Sequence, residues 1–237
     1  MNDQGMTASS TTSRAHTITA LLLIVCVAIW AFLAWNAPID RVQGVIQKIL
    51  YVHVPMAIGT YLGFICTALG GALYLWKGEE RWDRFALSSA EIGVLFAVMM
   101  LISGPIWGKG TWGKWWSWDL RLTLTLLLFF VYVAYLLLRS FTEGSERAAR
   151  FAAVYGIAGL ALIPLNYFAI KLAAGRSIHP ENLGGDSLGT GMGWPFFMGM
   201  VAMVAVFAFL LVRRLEVGSL RAEQTRRLAL ANREGMT

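Results

Sequence analysis

Six long apolar stretches, separated by short polar segments, make up most of this chain. A helix rises about 1.5 Å per residue, so a run of about 17–25 apolar residues crosses the ~30 Å hydrocarbon core of a membrane. Because each stretch meets this requirement and little chain remains outside them, the pattern predicts an all-α membrane protein with six transmembrane helices and short loops. The expected spans are residues 18–36, 54–76, 85–106, 122–138, 151–170 and 194–212.

Polar segments flank and interrupt this membrane domain, residues 18–212. Residues 1–17 are rich in Ser and Thr, which predicts a disordered cytoplasmic lead. Residues 213–237 form a basic, mildly amphipathic cytoplasmic tail, which suggests a helix on the inner surface or on a partner. Between the first two spans, residues 37–53 alternate polar and apolar positions at helical spacing. This predicts a short surface helix that brings His53 to the mouth of the second span.

Composition supports the membrane assignment, since 57% of the residues are hydrophobic and 14% are charged, unlike ordinary soluble domains. The basic residues indicate the orientation: 13 of the 20 Lys and Arg residues lie in the lead, the tail and the second and fourth loops. By the positive-inside rule these segments face the cytoplasm, so residues 37–53, 107–121 and 171–193 face outward. The net charge of +6 is then an orientation signal that requires no nucleic-acid partner.

The outer loop at residues 107–121, WGKGTWGKWWSWDLR, holds five of the ten tryptophans. Such a concentration of indole rings predicts an aromatic platform. Trp107 precedes the densest part and is interpreted as a residue of the interfacial belt. Asp119 and Arg121 follow at the start of the fourth span, where a carboxylate also suits a helix N-terminus.

Two histidines share the outer side with this platform, His53 before it in the chain and His179 after it, whereas His16 lies in the lead. Two imidazoles can ligate an iron from its two axial directions, and indole rings can cover the macrocycle around it. Basic side chains would stabilise the propionates. The residues on the outer side therefore predict a haem site. The chain has no CxxCH motif, and its two cysteines, Cys26 and Cys66, lie within spans. Haem b is thus the expected cofactor. The candidate propionate partners are Arg121, Lys109, Lys114 and Arg176.

Few other polar groups stand out. Glu91 lies within the third span near its inner end, and we expect a structural or assembly role. Pro164 and Asn166 predict a kink with a polar spot in the outer half of the fifth span. The glycine-rich run at residues 184–193 is interpreted as a flexible lid or hinge, because it lacks the context of a phosphate loop.

The string WGKWWSWDLRLT, from Trp112 to Thr123, resembles the tryptophan-rich WWD signature of haem-handling proteins in cytochrome c biogenesis. The length, the six spans and one outer-loop histidine on each side of the signature resemble the haem exporter protein C family, also called cytochrome c maturation protein C. The resemblance covers nearly the whole chain.

This resemblance implies a haem-delivery scaffold in the bacterial inner membrane, and no enzyme in the usual sense. It implies that haem is held at the periplasmic face and passed to a membrane-anchored haem chaperone, which captures it covalently. It also implies work beside ABC-type transporter subunits and a small single-span subunit. On this hypothesis His53 and His179 are axial ligands, Asp119 orients the loop, and the haem-contacting set is completed by Trp112, Trp115, Trp116, Trp118 and Arg121.

Three other hypotheses stay open from the residues. A haem permease would need polar groups along a route through the bundle, and only Glu91 and Asn166 lie between the two faces. A b-type membrane cytochrome usually carries its ligating histidines inside the spans, whereas His53 lies at an edge. A structural subunit of a transporter is the fourth hypothesis.

Overall fold

The computed structural model describes residues 3–141, 145–173, 176–180 and 188–234, with side chains described from residue 16 to residue 232. Helices dominate, and no strand occurs within these ranges apart from an isolated bridge between Asp40 and Gly44. A 3-10 helix at Val45–Ile49 precedes the second long helix. The α-helices are α1 (Asp3–Asn36), α2 (Leu50–Lys77), α3 (Glu80–Trp112), α4 (Leu120–Phe141), α5 (Glu146–Leu160), α6 (Leu162–Tyr167), α7 (Ala169–Leu172) and α8 (Gly193–Glu234).

The predicted six-span architecture is confirmed, because six helical segments are long and apolar enough to cross a membrane. The ends of these helices differ from the span ends expected from the sequence. Helix α1 begins at Asp3, within the segment that we expect to be disordered. Helix α8 continues without a break to Glu234, so the basic tail extends the last span and is not a separate surface helix over its described part. In both cases the segments lack a helix-breaking proline, and the backbone continues from the adjoining span.

Helices α2 and α3 form the centre of the bundle because small residues let their backbones approach closely. A Cβ atom placed on Gly63 would lie 2.5 Å from Cα of Gly93, which no side chain tolerates. Gly59 packs in the same way against the ring of Phe96. Small residues of the second span therefore serve helix packing. Helix α1 lies at the edge of the bundle and exposes large apolar side chains such as Leu22 and Phe32.

The end of the bundle opposite residues 107–121 is here called the arginine end. Ion pairs of Arg139 and Arg214 join its helices. Arg214 on α8 donates to both carboxylate oxygens of Glu91 on α3, including a bond of 2.8 Å from Nη2 to Oε1. Arg139 on α4 pairs with Asp83 on α3 at 2.6 Å. The Glu91 carboxylate thus links two helices, which agrees with the expected structural role.

The other end, which carries residues 107–121, is here called the tryptophan end. Its loop between α3 and α4 is shorter than expected. Helix α3 continues through Trp107 to Trp112 and ends where Gly113 adopts a positive φ of 74°. Of the expected outer loop at residues 107–121, the stretch between the two helices is only residues 113–119. The fifth span is broken at Ala161 and Phe168, so the predicted kink is confirmed. The glycine-rich run falls partly outside the described residues.

Candidate functional site

Trp107 lies at the tryptophan end and contacts both candidate histidines. Its ring centroid is 6.1 Å from that of His53, 6.1 Å from that of His179 and 5.5 Å from that of Trp112. The side chain is buried, with 4% of its surface exposed, and its Nε1 donates to Gln43 Oε1 at 2.9 Å. The interpretation of Trp107 as a belt residue is therefore wrong, since a belt residue faces lipid and headgroups.

His53 lies in the first turns of α2, where its ring meets α3. Its Nδ1 is 3.1 Å from Ser103 Oγ. The single Ser103 hydroxyl proton is directed to the backbone carbonyls of Met99 at 2.9 Å and Met100 at 3.1 Å. In the tautomer that carries its proton on Nδ1, His53 donates to the serine oxygen. In a neutral imidazole this leaves the lone pair on Nε2, the nitrogen that can ligate a metal.

His179 reaches the same protonation pattern by a different contact. Its Nδ1 lies 2.9 Å from the carbonyl oxygen of Pro180, which can only accept, so Nδ1 is again the protonated nitrogen. Burial lowers the pKa of His179 from 6.5 to about 4, and the positive charge of Arg121 acts in the same direction. His179 is thus neutral at pH 7, with its Nε2 lone pair available for a metal.

Asp119 connects the tryptophan loop to the segment that carries His179. One carboxylate oxygen accepts from the Leu122 N–H at 2.8 Å and caps the start of α4. The other accepts from Ser177 Oγ at 3.0 Å and from the Ile178 N–H at 3.3 Å. Ser177 Oγ in turn accepts from the N–H of His179 at 3.2 Å. Both carboxylate oxygens are engaged, so Asp119 holds the backbone around His179.

The four tryptophans of the expected platform have different ring contacts. Trp112, at the end of α3, lies 6.3 Å from the His179 ring. Trp116 and Trp118 contact each other edge to face at 5.8 Å. Trp115 and Trp118 are exposed, at 60% and 76%. The chain turns at Gly113, and this turn separates Trp112 from the other three rings.

Arg121 belongs to a polar network that joins α2, α4 and α6. Its positive charge lowers the pKa of His179. Asn166, fully buried, donates from Nδ2 to the Arg121 carbonyl at 3.1 Å and to Thr125 Oγ1 at 2.8 Å. Its Oδ1 accepts from the Tyr61 hydroxyl at 2.5 Å.

The other three candidate propionate partners lie farther out. Arg176 lines a cavity of about 370 Å³ beside the tryptophan loop, together with Trp118, Asp119, Leu120, Leu172 and Ala173. Lys109 donates to the carbonyl of Gly113 at 3.1 Å. Lys114 is exposed. Arg121 differs from these three in that a residue of α6, Asn166, donates to its backbone carbonyl.

Sequence reasoning missed several residues of this region. Ser103 and Trp107 lie four positions apart on α3, so they share a helix face. This spacing could have predicted that the two side chains lie on the same side of α3. Gln43 and Tyr61 carried no comparable signal, because their partners are distant in the chain.

The donor set fits a macrocyclic iron better than a bare metal ion. Within the described residues no group of three or more His, Cys, Asp or Glu side chains could hold a metal ion. Two imidazoles with defined tautomers supply axial ligands only, which suits an iron whose other ligands come from its own ring. The adjoining indoles and Arg121 match the apolar faces and the carboxylates of such a ring.

Comparison with known proteins agrees with this chemistry. The sequence profile of the family described as "Heme exporter protein C" matches residues 3–230. A protein of that name from Bradyrhizobium diazoefficiens is 28% identical over 236 residues, covering 94% of this chain and 89% of that protein. Its Haemophilus influenzae counterpart is 31% identical over 194 residues, covering 80% and 78%. A cytochrome c biosynthesis ccmC-like mitochondrial protein of Marchantia polymorpha is 37% identical over 137 residues, and this match spans 58% of each chain.

Proposed function

Because this chain belongs to the haem exporter protein C family, we propose that it binds haem b at the periplasmic face of the bacterial inner membrane. It delivers the haem to a membrane-anchored haem chaperone during cytochrome c maturation. The names of the related proteins support haem handling in cytochrome c maturation. The orientation rests on the distribution of Lys and Arg, which directs the tryptophan end outward.

One observation carries the proposal: two histidines from distant parts of the chain contact the same buried ring, Trp107. The Nδ1 atom of each lies within hydrogen-bond distance of one group, Ser103 Oγ for His53 and the Pro180 carbonyl for His179. Histidines that ligate metals commonly donate their other ring N–H in this way, because the hydrogen bond fixes the tautomer and orients the ring.

Each part of the site has a role in this proposal. His53 and His179 ligate the iron through Nε2, and Asp119 holds the segment that carries His179. Trp107 and Trp112 cover the haem next to the histidines, and Arg121 faces a propionate. The exposed rings of Trp115 and Trp118 lie at the outer rim, where the chaperone would dock.

The chain acts as a delivery component and carries out no covalent chemistry of its own in this proposal. It holds the haem in a defined orientation while the chaperone supplies the group that captures it, which is a positioning effect. ABC-type transporter subunits and a small single-span subunit are its expected partners in the membrane.

Purified protein reconstituted with haem tests the ligand assignment. We expect a Soret band typical of two histidine ligands, with haem affinity reduced on the order of a hundredfold in His53→Ala and in His179→Ala. His16→Ala is the matched control, because His16 lies at the arginine end and pairs with Glu216 there at 3.0 Å. Unchanged haem affinity in both site variants would exclude the assignment.

The structure offers no observation that favours the permease hypothesis. Glu91 and Asn166, the two polar groups expected along a route, are both engaged in contacts between helices. These contacts account for both side chains without a transport role.

A further inference from the structure

The segment that joins α1 to α2, residues 37–49, is here called the first loop, and it contributes a side chain to the region around the two candidate histidines. We infer that Gln43 of this loop is a positioning residue of the haem site. Its side-chain oxygen holds the indole of Trp107, the ring that contacts both histidines. This inference rests on the proposed haem-binding function and specifies a residue outside the tryptophan-rich signature that orients the same site.

The first step concerns the hydrogen bond between Gln43 and Trp107. The indole Nε1–H can only donate, so the group that it meets at 2.9 Å is the carbonyl oxygen Oε1 of the Gln43 side chain. Trp107 is buried, and a buried donor that loses its acceptor costs more free energy than an exposed one. The bond therefore favours the one orientation of the ring in which Nε1 faces the first loop.

The second step concerns what holds Gln43 itself. The Oδ1 atom of Asp40 accepts from the Val42 N–H at 2.8 Å and from the Gln43 N–H at 2.7 Å. The N–H of Gly44 donates to the Asp40 carbonyl at 3.0 Å, and Gly44 has a positive φ of 64°, which glycine adopts without strain. An aspartate that accepts from N–H groups a few residues ahead stabilises a turn. The Gln43 side chain thus extends from a closed turn.

The third step concerns a second contact between the first loop and α3. A Cβ atom placed on Gly110 would lie 2.4 Å from Cγ1 of Ile46, so the isoleucine packs directly on the backbone of α3. Gln43 and Ile46 are three residues apart, and so are Trp107 and Gly110. The two contacts therefore follow one another along both segments, and the first loop is docked on the last turns of α3.

The effect on the site follows from the ring contacts of Trp107. Its ring centroid lies 6.1 Å from that of each candidate histidine and 5.5 Å from that of Trp112. A turn of the indole would change the space beside all three rings, and binding sites depend on such side chains being locked by neighbouring hydrogen bonds. Gln43 acts through Trp107 and needs no contact of its own with haem.

Haem titration and an NMR spectrum of the haem-free protein test the inference together. Full-length protein with isotope-labelled tryptophan is purified in detergent, and the indole N–H signal of Trp107 is identified by its loss in Trp107→Phe. Gln43→Leu removes the acceptor at similar volume. We expect the Trp107 signal to move upfield and the haem affinity to fall about tenfold. Gln43→Glu keeps an acceptor oxygen and restores most of the affinity and of the signal position.

Gln47→Leu is the matched control, because Gln47 is a buried glutamine of the same loop whose Oε1 has no hydrogen-bond partner among the described residues. We expect it to keep the wild-type affinity and the wild-type Trp107 signal. In a Trp107→Phe background, which lacks the indole N–H, Gln43→Leu reduces the affinity no further. Asp40→Ala is a second variant for the case that Gln43→Leu does not fold. It opens the turn and lowers the haem affinity about threefold.

Other results would overturn the inference. An unmoved Trp107 signal in Gln43→Leu would exclude the hydrogen bond, and a moved signal with unchanged haem affinity would show that the bond does not position the site. An equal loss of affinity on adding Gln43→Leu to Trp107→Phe would show that Gln43 acts through another contact. A wild-type protein that binds no haem would exclude the proposed function, whereas the Trp107 signal would still report whether Gln43 holds the indole.

Discussion

Histidine side chains have different hydrogen-bond partners at the two ends of the helix bundle. At the arginine end, His16 Nε2 lies 3.0 Å from Glu216 Oε1 and its Nδ1 lies 2.8 Å from Arg213 Nη1, so both ring nitrogens have protein partners. At the tryptophan end, the Nδ1 atoms of His53 and His179 are tied to a hydroxyl and a carbonyl. The first histidine joins α1 to α8, and the other two are the proposed haem ligands.

This difference extends to the surrounding charges. Carboxylates at the arginine end pair with arginines, as Glu91 does with Arg214 and Asp83 with Arg139. At the tryptophan end, Asp119 accepts from a hydroxyl and backbone N–H groups, so its interactions orient a segment and do not neutralise a cation. Ion pairs at one end hold the helices together, whereas at the other end hydrogen bonds to the Asp119 carboxylate hold the segment before His179. The comparison makes four predictions.

The largest effect is expected for Asp119→Ala, which removes the link between the tryptophan loop and the His179 segment. Hydrogen bonds to a carboxylate are stronger than neutral ones, so haem affinity falls on the order of a hundredfold. Asp119→Asn keeps an acceptor at this position and restores part of the affinity. Haem titration followed at the Soret band measures both. An Asp119→Ala protein with wild-type affinity would show that His179 is held by other contacts.

A smaller loss is expected for Ser103→Ala, which removes the acceptor of His53 Nδ1–H. Loss of the group that orients a metal-ligating histidine reduces affinity about tenfold. Thr67→Val serves as the control, because Thr67 Oγ1 also donates to a carbonyl one helical turn earlier, Gly63 O at 2.8 Å, but away from the site. Haem titration should separate the two variants, and equal losses in both would contradict the assigned role of Ser103.

The arginine end should respond in stability and not in haem binding. Glu91→Gln leaves Arg214 without its carboxylate, and since about a third of each side chain is exposed, the loss of unfolding free energy is about 1 kcal/mol. Thermal unfolding in detergent measures the change, and haem titration of the same variant should match the wild type. A loss of haem affinity without a loss of stability would indicate that the two ends are coupled.

The smallest effect concerns the pH dependence of the haem-free protein. Burial lowers the pKa of His179 from 6.5 to about 4, so between these values the unfolded chain binds a proton that the folded chain does not. Stability therefore falls as pH decreases from 6.5 toward 4, by less than about 1 kcal/mol at pH 5.5 after allowance for solvent screening. His179→Gln removes this contribution. Its melting temperature relative to wild type should rise as pH decreases, and a constant difference would contradict the pKa shift.

Much of the fold was predictable because length and apolar content are local properties of a segment. The six spans follow from them, and the kink near Pro164 follows from the missing N–H of proline. The ends of the spans were less predictable. Whether α1 extends back to Asp3 and α8 onward to Glu234 depends on helix continuation, which no hydropathy pattern reports.

The candidate site was predictable in part. His53, His179 and the tryptophan loop could be placed on one side by topology alone, and the structure brings the two histidines and Trp112 into contact with one ring. That ring is Trp107, which was assigned to the belt because it precedes the signature. Tyr61 and Asn166 are separated by 105 positions in the chain, so no spacing could associate them.

The sequence by itself determined the number of spans, the side on which the tryptophans and two histidines lie, and the family to which the chain belongs. These properties depend on composition, charge distribution and a contiguous motif. The tertiary structure alone decided that His179 Nδ1 lies against the Pro180 carbonyl, that Asp119 holds the segment before His179, and that Trp107 contacts both imidazoles. The physical reason is that hydrogen bonds and ring contacts between helices depend on how far α3 extends and where the chain turns after it. The packing of α3 against α2 and α4 determines both.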